Sequence, residues 1–132
     1  MKSYLHIDIL TPYGKYLSTE SDFISLKTPV GVLGILPNHT PLISTVEISK
    51  LVIKCDNKEN TYAVSGGVIH IKDNNQVVLL VNAIENKKDI NLSRAEKAKA
   101  NAEEMLKKDN ADVKLAKSAL LRALNRISIY NE

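Results

Sequence analysis

Neither glycine nor proline occurs after Gly67, and at about that point the spacing of the apolar residues changes. Before it, apolar side chains recur every second residue. Well beyond it, they recur every third or fourth. A period of two places alternate side chains on opposite faces of a strand, and a period near 3.6 gathers them on one face of a helix. One chain therefore carries two kinds of structure in succession, and the break between them falls in the polar run "NKKD" at 86–89.

In the first part, Leu5, Ile7 and Ile9 alternate with His6 and Asp8, and Ile24 and Leu26 repeat the pattern. Leu51, Ile53 and Cys55 stand opposite Lys50, Val52 and Lys54. Polar stretches at 56–60 and 73–75 read as turns between strands. "QVVLLV" at 76–81 is continuously apolar, as expected of a strand buried on both faces. Gly66 and Gly67 lie between two strand-like runs and so predict a bulge or tight bend. Short strands with regular turns predict an antiparallel β-sandwich over residues 1–86.

Residues 92–129 are rich in Ala, Leu, Lys and Glu, all strong helix formers. Ala95, Ala98, Ala102 and Met105 form one stripe; Val113, Ala116, Leu120, Ala123 and Ile127 form another. The polar break at 107–112 separates them, with Asn110 or Asp112 able to cap the second helix. An antiparallel helical hairpin over residues 87–132 follows, so the fold class is α+β. Its alanine seam buries little area, and Leu115, Ala119, Leu121 and Leu124 lie off the main stripe. Such a helix needs a second surface to pack on, which marks the hairpin as a mobile element.

Charge follows the same division. Residues 1–86 hold 7 Lys and 8 Asp or Glu, whereas residues 87–132 hold 11 Lys or Arg and 7 acids. A basic tail on a near-neutral body suits an acidic partner, and a stand-alone adaptor that binds an acidic protein through this tail is one reading. Nucleic acid is disfavoured, because the five Tyr and one Phe leave only Tyr130 for stacking in the tail. The longest aliphatic run, at 77–81, is far short of the ~20 residues that span a bilayer, so no membrane insertion is expected. The single Cys55 allows no internal disulfide and suggests a reducing compartment.

No catalytic constellation emerges. His6 and His70 alternate with apolar residues and read as outward strand positions, while His39 lies in the loop-like "PNHTP". None has further metal ligands at short spacing. There is no nucleophile elbow, P-loop or dinucleotide fingerprint. No catalytic residue, metal or required cofactor is assigned.

Three segments in this order, "TPVGVLGILPNHTPLI" at 28–43, "AVSGGVIHI" at 63–71 and "INLSRAEKAKANAEEML" at 90–106, resemble the epsilon subunit of bacterial F-type ATP synthase. The resemblance covers essentially the whole chain. It implies a non-catalytic subunit on the central rotor stalk, beside gamma and against the membrane rotor ring, that helps couple proton flow to rotation. It further implies a hairpin that can extend into the catalytic alpha/beta head and block ATP hydrolysis, and that permits turnover when folded down. The implied location is peripheral, on the cytoplasmic face of the bacterial cell membrane.

By the same resemblance, the loop at 31–43 is the region that contacts ring and gamma, with Gly31, Val32, Gly34, Pro37, Asn38 and His39 as contact residues. Relatives often carry an acid between the two glycines, where this chain has Val32. Relatives that bind ATP show an aliphatic residue, Asp, two variable residues, Arg and Ala; here Ile90, Asn91, Arg94 and Ala95 match, with Asn91 in place of the acid. Arg122 and Arg126, four apart and so on one helix face, match basic positions of that site. Glu85 falls where an acid lies near the adenine. Asn101 stands where some relatives have a further arginine. The resemblance thus implies ATP as a regulatory ligand. Read locally, Asn91 is also a good helix cap, and Ser93 with Glu96 matches a capping box.

Overall fold

The computed structural model describes residues 3–108 and 110–132. Asp109, inside the polar break at 107–112, lies outside the described residues, as do Met1 and Lys2. Eight strands come first: β1 (Leu5–Thr11), β2 (Gly14–Ser21), β3 (Phe23–Thr28), β4 (Gly31–Ile35), β5 (Leu42–Cys55), β6 (Lys58–Ile71), β7 (Gln76–Val81) and β8 (Ile84–Asn86). A short 3₁₀ turn, Lys87–Asp89, leads into α1 (Leu92–Leu106) and α2 (Val113–Tyr130).

The strands run in the order β2-β1-β7-β6-β5-β3-β4, with β8 pairing β6. Pairing is antiparallel except for β1 and β7, which run side by side in the same direction with Ile7 opposite Val77. β5 and β6 are long enough to serve both layers of the sandwich. β6 pairs with β8 through Tyr62–Val64 and with β7 through Gly67–Ile71, so it changes partners at its glycines. The register with β5 is unchanged across this point, Val46 lying opposite Gly67 and Ile48 opposite Ser65, so the glycines form no bulge and only the pair between them is interrupted. Both glycines have positive φ, 96° and 154°.

The alternating residues meet between the layers. Leu5, Ile7, Ile9, Ile24, Leu26, Leu51, Ile69 and Leu79 are among those that close the core, each at most 2% exposed. His6 points outward beside Glu20 and His70 lies on the outer face, as the alternation predicts. β7 does not fit its expectation. Val77, Leu79 and Val81 face the core, but Leu80 is 48% exposed, so the strand is buried on one face only. Among the described residues its outer side is left open, because the helices pack elsewhere, on β5 and β6.

The segment at 31–43 is also less loop-like than its glycines and prolines suggest. Its first five residues form β4, an antiparallel partner of β3.

α1 packs on α2. The buried positions of the seam are Ala95, Ala102, Ala116 and Ala123, as the stripes predict, whereas Val113 is 48% exposed. Asp112 caps α2, its Oδ1 accepting from the Leu115 N–H at 3.0 Å. α2 in turn rests on β5 and β6, and Ile129 joins Ala63 and Ile90 in a small buried cluster. Full burial of a side chain of that size contributes roughly 1.5–3 kcal/mol, so docking is modest. The hairpin is thus folded down on the sandwich. Among the described residues, no helix is long and apolar enough to cross a membrane.

Candidate functional site

A cleft of about 190 Å³ opens at the base of the hairpin, lined by Glu85, Asp89, Asn91, Arg94, Ala95, Ala98 and Arg126. Four elements contribute. β8 supplies Glu85, and the 3₁₀ turn supplies Asp89. The first turns of α1 supply Arg94, Ala95 and Ala98, and α2 supplies Arg126. The antiparallel hairpin brings the start of α1 beside the end of α2, which is why positions thirty residues apart in sequence, on the order of two helices, meet here.

Local chemistry sets each side chain. Asn91 is the N-cap of α1, and its Oδ1 accepts from the Arg94 N–H at 3.0 Å. The cap is therefore Asn91, and the alternative capping pair of Ser93 and Glu96 lies inside the helix. With its oxygen engaged by the backbone, Asn91 fixes where Arg94 leaves the helix. Ile90 does not face the cleft; it is buried under Ile129. Ala95 is buried at the cleft floor, where a small side chain lets α2 approach.

Arg126 Nε lies 3.2 Å from Glu85 Oε1. That oxygen is buried, yet it accepts no hydrogen bond among the described residues, so the pair is an ion pair whose N–H is not aimed along the contact. A buried carboxylate oxygen without a donor is costly, and a ligand N–H placed in the cleft would satisfy it. Arg122 is directed away. Its Nη1 donates to Ser118 Oγ at 2.8 Å, and it does not line the cleft. Asn101 is exposed further along α1 and is likewise not part of the lining.

Sequence reasoning missed Asp89 and Ala98. Ala98 was signalled by its place one turn after Arg94. Asp89 sits two residues before the cap, in a turn that spacing arguments do not resolve. Its charge is felt nearby. Burial raises the Tyr16 phenol above its ordinary value, and the carboxylates of Asp89 and then Glu85 push it in the same direction. The cleft thus joins two acids and two arginines, a combination suited to a ligand with both hydrogen-bond donors and anionic groups.

The other expected contact region lies apart from the cleft. Val32 on β4 is 77% exposed, and Val30 and Leu36 flank it, also exposed. Gly31 has φ of 128° with open space around it, while a Cβ at Gly34 would crowd the Phe23 ring. Pro37 precedes Asn38, which turns the chain in the left-handed region at φ 69° and donates its N–H to Asn75 Oδ1 at 2.6 Å. His39 Nδ1 donates to the Thr40 carbonyl at 2.6 Å. These bonds hold the turn and leave the apolar residues facing outward.

Comparison with known proteins places both halves. Residues 4–87 match the family described as ATP synthase, Delta/Epsilon chain, beta-sandwich domain, and residues 88–131 match its long alpha-helix domain. The ATP synthase epsilon chain of Ligilactobacillus salivarius is 40% identical, covering 97% of this chain and 96% of the relative. That of Halalkalibacterium halodurans is 38% identical, covering 95% and 96%. The fold is shared with a chain of the Euglena gracilis mitochondrial ATP synthase (OSCP/F1/c-ring), with a TM-score of 0.83 at 19% identity over 95% of this chain and 80% of that one. A chain of the Tetrahymena thermophila mitochondrial ATP synthase central stalk and c-ring gives 0.66 at 18% identity over 98% and 96%. Matched along nearly all of its length by bacterial epsilon chains, this chain belongs to the ATP synthase delta/epsilon family as an epsilon chain.

Proposed function

We propose that the chain is a non-catalytic subunit of the rotor stalk of a bacterial ATP synthase, peripheral on the cytoplasmic face of the cell membrane. In this role it binds gamma and the rotor ring through its sandwich, and it regulates ATP hydrolysis in the alpha/beta head through its hairpin. Family membership over the full chain carries the reading. The exposed Val30, Val32 and Leu36 give the ring-facing end an apolar contact in place of an ionic one. Leu10, Val68 and Leu80, side by side on the outer face of the sandwich, offer a second apolar surface that suits a stalk partner. Co-expression with gamma tests this: the two should co-purify, and a chain that elutes alone would remove the proposal.

The cleft at the hairpin base supports ATP as a regulatory ligand rather than a required cofactor. Glu85 Oε1 lacks a donor that an adenine amine would supply, and Arg94 and Arg126 are placed for phosphate. At about 190 Å³ the cleft is smaller than the roughly 300–1,000 Å³ of ordinary small-molecule sites. A nucleotide would therefore fill it and extend into solvent, and Asp89 would oppose a highly charged phosphate chain. Affinity is accordingly expected to be weaker than three arginines would give. A ligand that bridges β8, α1 and α2 stabilises the folded-down hairpin by its binding free energy.

Titration calorimetry of the full chain with ATP should give heat that is lost in Arg94→Ala and Arg126→Ala and retained in Arg122→Ala. No heat with the unaltered chain would exclude the ligand. Deleting residues 87–132 in the assembled synthase should raise ATP hydrolysis; an unchanged rate would remove the inhibitory role.

A further inference from the structure

The contacts between hairpin and sandwich fall in a row. Lys50 on β5 pairs laterally with Ala63 on β6, and Ala63 pairs with Glu85 on β8. The three therefore lie side by side across the outer face of the sheet, positive at one end, apolar in the middle and negative at the other. The end of α2 presents the complement. Glu132 Oε1 is 2.8 Å from Lys50 Nζ, Ile129 is buried with Ala63, and Arg126 Nε is 3.2 Å from Glu85 Oε1.

The match is geometric as well as electrostatic. Arg126 and Ile129 are three apart on α2, a rise of about 4.5 Å at 1.5 Å per residue, and the chain just past the helix end carries Glu132 on to Lys50. Adjacent strands are about 4.8 Å apart. A helix that crosses the strands therefore delivers every third residue to the next strand. Sliding α2 by one such step would place Ile129 against Lys50 or Glu85 and bring no opposite charge to either end. Two further bonds fix the same seating: Lys87 Nζ donates to the Glu132 carbonyl at 3.2 Å, and Asn125 Nδ2 donates to the Ser49 carbonyl at 2.9 Å.

We propose that Lys50, Ala63 and Glu85 form a charge-keyed docking row that reads Glu132, Ile129 and Arg126, and that the Lys50–Glu132 pair is the latch that sets how often the hairpin lifts. The Glu85–Arg126 end of the row doubles as the wall of the cleft. The Lys50–Glu132 end lies outside it, so the latch acts on the hairpin whether or not the cleft takes a nucleotide. An exposed ion pair is ordinarily weak. Here it acts on a docking interface whose buried apolar cluster, among the described residues, is Ala63, Ile90 and Ile129, so a small change in the pair moves the equilibrium visibly.

Hydrogen exchange of the ligand-free full chain, read by mass spectrometry over residues 113–132, tests the latch. Lys50→Glu should speed exchange about threefold to tenfold, since attraction becomes repulsion. Glu132→Lys should do the same from a position past the end of α2, where it cannot disturb the sandwich. The double swap, Lys50→Glu with Glu132→Lys, should return exchange to within about twofold of the unaltered chain. Exchange in β1 and β7 reports that the sandwich is intact. Single variants that exchange like the unaltered chain, or a double swap as fast as the singles, would overturn the latch.

Discussion

At Gly67 the backbone is held at φ 154°, and a Cβ there would fall on the Leu80 carbonyl oxygen of the neighbouring strand. Gly67→Ala must move β7 away from β6, so a loss of about 2 kcal/mol or more is expected in denaturant unfolding. Gly31 is a useful contrast, because its φ of 128° is equally unsuited to a side chain but nothing stands within reach of one. There the cost is backbone strain alone, on the order of 1–2 kcal/mol. Two tyrosines make a second test. Tyr16 and Tyr62 meet edge to face at 6.2 Å, and burial raises both phenols above the usual value. The fold favours their neutral form. The stability this gives is present below about pH 10 and is lost as the pH rises through the raised values. Ultraviolet titration should show Tyr16 and Tyr62 ionising above the ordinary phenol range. The sequence pattern suggested a bulge or bend between two strands here, whereas β6 runs through Gly66 and Gly67 as one strand; the carbonyl that requires glycine at Gly67 comes from β7 and cannot be read locally.

Elements differ in how much of their behaviour their own sequence specifies. The helices were legible to within a residue or two, because alanine stripes and caps are local. Asn91→Ala should weaken α1 by about 1 kcal/mol, while Asn91→Asp should keep the cap and add a favourable charge at a helix N-terminus. Thermal unfolding followed at the helical dichroism band would rank the three chains. Of the residues the resemblance implies for a nucleotide, the fold brings Glu85, Asn91, Arg94, Ala95 and Arg126 to one cleft. Arg122 does not line that cleft, because Ser118, one turn earlier, offers its guanidinium a nearer acceptor. β7 was misread because a continuous apolar run records what a strand can tolerate, and only the placement of the helices decides whether its second face is covered. Ile129 is the element-scale anchor of α2. Ile129→Ala should cost docking about 2 kcal/mol, seen as faster proteolysis in residues 107–112 with the sandwich still resistant.

For the whole molecule, the division into 1–86 and 87–132 makes a direct prediction. The main core draws every member from the strands, and among the described residues the hairpin adds to the sandwich a small cluster of Ile90 and Ile129 on Ala63. Residues 1–86 alone should therefore fold cooperatively, with a melting temperature within a few degrees of the full chain's; a fragment without a cooperative transition would refute the independence of the sandwich. The pairing of β1 with β7 bears on something else, the order of events during synthesis. The hairpin of β1 and β2 is made first, yet it joins the sheet only through β7, so Ile7 waits for Val77 to leave the ribosome. Until then one edge of that hairpin is open to other chains. Folding of the sandwich is bound to this late, non-local step and should be slow for its size. Translation pauses made while β7 is still inside the ribosome, including those early in the helical region, would prolong that exposure.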